Sequence, residues 1–176
     1  MQELIPQTRW NATGKLGRVL IEWAMEHNIS VRQVWSSDEF HVSNAMGQYK
    51  CRQENGKIVF QEISMLRDLN DEMMSRVFAH ETIHSGQYLI DKITYPRELL
   101  GGGALGIAVL EIEADLGALK LMRKCECSIS SSLVDHIYEY VSAQRDIMMG
   151  EYEKHADMIE EHVSIIVESI LNLRSM

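Results

Sequence analysis

Cysteine is scarce in this chain of 176 residues: Cys51, Cys125 and Cys127 are the whole set. An odd, low count argues against a disulfide scaffold and fits a reducing compartment, so a cytoplasmic location is expected. Long hydrophobic runs are missing too. The most apolar stretch, Leu99 to Leu110, is rich in glycine and far short of the roughly 20 residues that a membrane helix takes, so no membrane span is expected. The opening MQELIPQTRW has no basic region followed by an apolar run, and no signal peptide is expected from it. Positive charge is in deficit, with 17 basic against 26 acidic residues and a net charge of −9. Non-specific nucleic-acid binding needs clustered Lys and Arg to release counterions from phosphates. The longest basic cluster here is Arg123-Lys124, so tight nucleic-acid binding is not expected and a protein or peptide partner is. Phosphate-cradling glycine loops, serine-nucleophile elbows and internal repeats are also missing.

What remains is ordinary globular composition, 45% hydrophobic and 24% charged. Three zones are readable. Leu16, Val19, Leu20, Trp23, Ala24 and His27 recur at helical spacing, with Thr13 as a candidate N-cap and His27-Asn28-Ile29 as the stop. From about Val31 to Ile63 the chain is strand-like: Val34-Trp35, Phe40-His41-Val42, and two β-rich runs that flank Glu54-Asn55-Gly56. Asn-Gly between such runs is the strongest short-range hairpin signal, and a small antiparallel sheet of about three strands is expected. From Leu69 onward the pattern is helical. Asn70 or Asp68 caps a helix running to about Leu89, whose inward face carries Met73, Val77, His80, Ile83 and His84. Further helices are expected from about Leu105 to Lys124, from Ser130 through Met149, and from Tyr152 to Leu173.

The chemistry sits in His80-Glu81-Thr82-Ile83-His84, an HExxH on a predicted helix. Histidines one turn apart point to the same side and can share one zinc ion, while Glu81 is one step around, placed to take a proton from water. A catalytic zinc needs a third protein ligand and an open position. Glu111-Ile112-Glu113-Ala114-Asp115 follows 27 residues after His84. Glu111 and Asp115 share a helix face, so one can ligate and the other can accept a ring N–H from a ligating histidine. Glu111 is favoured over Glu113 because it alone has a carboxylate four residues on. Glu113 is expected to face solvent or to serve in an ion pair.

The pairing of HETIH with EIEAD resembles the HExxH…ExxxD layout of gluzincin zinc metallopeptidases, with the look of ImmA/IrrE-like peptidases and of the metallopeptidase domain of ArdC-type antirestriction proteins. His84-Ser85-Gly86 and the run from Glu111 to Ala118 carry that likeness. The likeness runs from about Ile58 to Met122. A single zincin-like α+β domain is expected over residues 1–176, with a catalytic core to about residue 125 and a helical extension over about 130–176, and the likeness implies zinc-peptidase chemistry. It further implies His80, His84 and Glu111 as zinc ligands, Glu81 as general base, and Asp115 orienting His80. Thr82 and Ser85 depart from residues more usual in those families.

Other features stay open between a function and a plain structural role. Tyr95, His136, Tyr138 and Tyr140 are candidate donors to an oxyanion, or members of an interfacial helix face. The Gly-rich segment from Leu99 to Ile107 is a lid over the cleft or, as the preferred reading, a close-packed turn. Cys125 and Cys127 are expected to be free thiols, His155 and His162 to be surface residues, and the stripe of Ile159, Val163, Ile166 and Ile170 to be core or a dimer contact. Two functions compete: a zinc metallopeptidase cutting a specific protein partner, and a zinc-stabilised acidic protein that inhibits or binds a regulator, of antirestriction type, without essential peptidase activity.

Overall fold

A computed structural model describes residues 14–40 and 45–172. The chain is α+β, with the order α1 (Lys15–Glu26), β1 (Ser30–Val34), β2 (Gly47–Glu54), β3 (Lys57–Leu66), α2 (Asp71–Leu89), α3 (Ala104–Lys124), α4 (Ser131–Ile147) and α5 (Tyr152–Leu171). Short 3-10 turns lie at Ser37–Glu39 and Arg97–Leu99. The expected cap Thr13, the strand residues His41-Val42 and the terminal Leu173 lie outside the described residues.

The sheet is mixed, which corrects the fully antiparallel expectation. β3 lies in the middle, antiparallel to β2 and parallel to β1. The hairpin between β2 and β3 is where Asn-Gly placed it: Asn55 and Gly56 have φ of 51° and 74°, both in the left-handed region that a tight two-residue turn demands. The parallel pairing arises because the β2–β3 hairpin follows β1 only after about a dozen connecting residues, long enough to carry the chain past the place that β3 takes. Phe40 follows a 3-10 turn rather than opening a strand.

α2 is the spine. Asn70 caps it, its side chain accepting from the Met73 N–H at 2.8 Å. Apolar and small residues surround it on several sides, Met74, Val77, Phe78, Ala79 and Ile83 all being buried, while Met73 is only half-buried. α1 docks on it through a buried hydrogen bond from Trp23 Nε1 to Ser85 Oγ, 2.8 Å. α3 and α5 pack beside it, and Ile159, Val163, Ile166 and Ile170 join one continuous core with Ile83, Ile112 and Leu121. The terminal stripe is therefore core. Gly86 makes that closeness possible, since a Cβ there would lie 2.6 Å from Ile166 Cγ2.

The segment before α3 is exposed from Leu100 to Gly103, and a Cβ on Gly101, Gly102 or Gly103 would meet nothing within 4 Å, which corrects the close-packed expectation. The tight contact lies inside the first turn of α3. A Cβ on Gly106 would meet the Leu99 carbonyl oxygen at 2.2 Å. Gly47 serves the same end on the sheet side, where a Cβ would lie 2.5 Å from Val77 Cγ1 and 2.9 Å from Glu81 Oε1. Gly47→Ala is expected to push β2 off α2, at the roughly 1–3 kcal/mol that overpacking costs. Thermal denaturation should show a Tm lower by about 2–12 °C, and an unchanged Tm would mean that the strand shifts freely. No helix among the described residues is long and apolar enough to cross a membrane.

Candidate metal centre

Helical spacing turns His80 and His84 onto one side of α2, and α3 crosses so that Glu111 meets them. The two Nε2 atoms are 3.1 Å apart. Glu111 Oε2 lies 3.5 Å from His80 Nε2, and its Oε1 lies 3.5 Å from His84 Nε2. These three residues could hold a metal ion.

Their other ring nitrogens are fixed by hydrogen bonds. His80 Nδ1 donates to Asp115 Oδ1 at 3.0 Å, and His84 Nδ1 donates to Gln87 Oε1 at 2.8 Å. With each Nδ1 engaged, the two Nε2 atoms face each other and a carboxylate, an arrangement that a proton or a metal cation satisfies. Burial works against a charged His80, but the hydrogen bonds to Asp115 and Glu111 outweigh it and push its pKa up to about 10. His84 moves in the same direction, against its burial, chiefly through Glu111. Burial would raise the Glu111 carboxyl, yet the two histidines hold it well below the usual carboxylate range.

Asp115 has no exposed surface, and its Oδ1 also accepts from Arg76 at 2.6 Å. Arg76 is buried one turn before His80, so it anchors the carboxylate that orients the histidine. Asp115→Ala is expected to weaken metal affinity by about 10- to 100-fold. It should also cost about 3–5 kcal/mol in stability, because it strands a buried guanidinium. A chelator competition and a thermal melt separate the two effects, and an unchanged affinity would reduce Asp115 to a partner for Arg76.

Glu81 is 6% exposed and lines the same cleft of about 610 Å³ as the three donors. Burial raises its pKa, opposed by His80 and His84 and by a hydrogen bond from the backbone N–H of Tyr49. β2 thus touches Glu81 directly. The far wall of the cleft comes from α4, through His136 and Tyr140. Tyr138 is 49% exposed and does not line the cleft. Tyr95 does not line it either: its hydroxyl donates to Glu113 Oε2 at 2.6 Å, which corrects its reading as an oxyanion donor.

Two further expectations are corrected. Glu113 has no exposed surface, and His155 and His162 are 4% and 5% exposed. His162 Nδ1 donates to Glu113 Oε1 at 2.9 Å, so Glu113 is held by a buried hydrogen bond and does not face solvent. Cys51, Cys125 and Cys127 are free thiols.

Arg76 and Gln87 are the site residues that the motif did not announce. Their signal was spacing, since Arg76 lies four residues before His80 and Gln87 three after His84 on one helix. No protein-family model, curated protein or solved structure matches this chain.

Proposed function

We propose that this protein is a zinc metallopeptidase of gluzincin type that hydrolyses a peptide bond in a protein partner. The observation that carries the reading is the convergence of His80, His84 and Glu111 in the cleft that also holds buried Glu81. Two imidazoles and one carboxylate are a donor set of catalytic zinc, with one coordination position left open. Zinc–ligand bonds of about 2.0–2.1 Å put tetrahedral donor atoms about 3.3–3.4 Å apart. The two Nε2 atoms, 3.1 Å apart, lie near that edge, and each faces one of the two Glu111 oxygens at 3.5 Å.

Zinc held there supplies Lewis-acid polarisation of the scissile carbonyl and acidifies water toward neutrality. Glu81 takes the proton of the attacking water on its carboxylate and hands it to the leaving amine. His136 or Tyr140, on the opposite wall, donates to the oxygen where negative charge develops. β2 is an edge strand whose residues Gly47 to Tyr49 border the cleft, so an extended segment of the partner adds alongside it. A net charge of −9 favours a protein partner over nucleic acid, and three free thiols suit the cytoplasm.

The test is metal removal. The protein is stripped with a chelator, reloaded with Zn²⁺, and incubated with a library of extended peptides read by mass spectrometry. Cleavage that disappears with the metal and returns with it supports the peptidase. Zinc-loaded protein that cuts no peptide would turn the reading to the zinc-stabilised interaction protein.

A further inference from the structure

Beyond the three donors and Asp115 lies a second polar cluster, buried and assembled from four separate parts of the chain. Glu113 of α3 has no exposed surface, and both of its oxygens are engaged. Oε1 accepts from His162 Nδ1 of α5 at 2.9 Å. Oε2 accepts from the Tyr95 hydroxyl at 2.6 Å and from Gln87 Nε2 of α2 at 2.9 Å. Burying a carboxylate is costly unless donors replace its water, and apolar side chains of similar volume would serve a core as well. Stability alone does not explain the cluster.

Its consequence runs through the amide of Gln87. The Nε2 of that amide contacts two groups that only accept, Glu113 Oε2 at 2.9 Å and the Leu110 carbonyl oxygen at 2.9 Å. Turning the amide over would set its oxygen against both. The orientation is therefore fixed, and Oε1 faces His84 Nδ1 at 2.8 Å. An amide oxygen accepts only, so Nδ1 of His84 carries a proton, and Nε2, which faces His80 and Glu111, is the ring atom that a metal would take.

We propose that Gln87, clamped by the buried Glu113–Tyr95–His162 cluster, sets the tautomer of His84 and makes the C-terminal helix part of the metal centre. The inference rests on the metal-binding half of the proposed function and not on peptidase activity. Gln87, Glu113, Tyr95 and His162 are positioning residues acting through His84. The two histidines are held by different means: His80 by a carboxylate directly, His84 by a carboxylate one amide removed.

The experiment is Zn²⁺ affinity by chelator competition on the full chain, with circular dichroism to confirm folding. Gln87→Leu is expected to bind about 10- to 100-fold more weakly than wild type. Glu113→Gln should lose a similar factor, and the double variant should be no weaker than the worse single one, because both changes break one relay. His162→Asn, whose amide N–H replaces the Nδ1 donor, should recover most of what His162→Leu loses. In the Co²⁺-loaded protein the His84 Nδ1–H proton should exchange slowly in wild type and fast in Gln87→Leu, a change that mere loosening of the core would not confine to one histidine. If Glu113→Gln does not fold, Gln87→Leu and the His162 pair still decide.

Wild-type affinity in folded Gln87→Leu overturns the relay, as do losses that multiply in the double variant. A wild-type protein that takes up no Zn²⁺ overturns the metal reading itself, which is a distinct result.

Discussion

His84→Ala is expected to leave a folded protein that no longer holds stoichiometric metal. α2 is anchored by Val77, Phe78 and Ile83, all buried, whereas the His84 ring faces the cleft, so its loss opens space without unseating the helix. The remaining pair, His80 and Glu111, offers two donor atoms 3.5 Å apart and no third side to close on a metal. The loss should exceed the 10- to 100-fold that follows from removing a residue behind a ligand. Elemental analysis of wild type and variant after dialysis against a weak chelator measures it directly. Glu111→Ala should behave alike, which separates loss of a donor from loss of a particular imidazole. Equal zinc in His84→Ala and wild type would sink the ligand assignment and the proposed function with it.

The parts of this molecule that were legible in the sequence are those fixed locally. Asn55-Gly56 dictates a turn because few residue pairs accept two consecutive positive φ angles. Asn70 and Ser130 announce helix starts because their side chains replace missing backbone acceptors, and each does so, toward Met73 and Leu133. The donors of the candidate centre were legible for a similar reason, since an interval of four on a helix decides which way side chains point. What was not legible depends on contacts between distant segments. The parallel pairing of β1 with β3 leaves no mark in either strand. The burial of Glu113 depends on α5 packing against α3, and nothing within EIEAD distinguishes a charge facing solvent from one facing a histidine 49 residues away. His155 and His162 carried a usable sign. With Ile159 and Ile166 they alternate at intervals of four and three, the spacing of a buried helical stripe, so their place on that stripe outweighed their polarity.

Glu81→Gln should keep the fold and the metal while hydrolysis falls by about 10²- to 10⁴-fold or more, the usual contribution of a positioned base. The substitution is nearly isosteric. The carboxylate accepts from the Tyr49 backbone N–H, and an amide oxygen can accept the same bond, so the contact between α2 and β2 survives. Glu81 is not among the three converging donors, so metal content should match wild type. What the amide cannot do is take a proton from water at neutral pH. Burial bears on the size of the loss: it destabilises the charged carboxylate and makes it a stronger base than one in water, so a neutral amide forfeits more than it would on the surface. Zinc content, melting temperature and peptide turnover measured on one preparation decide the matter. Full turnover with intact metal would remove Glu81 from the mechanism. Loss of turnover together with loss of zinc would place Glu81 in holding the metal. Only the split result, metal kept and turnover lost, assigns the proton to this carboxylate.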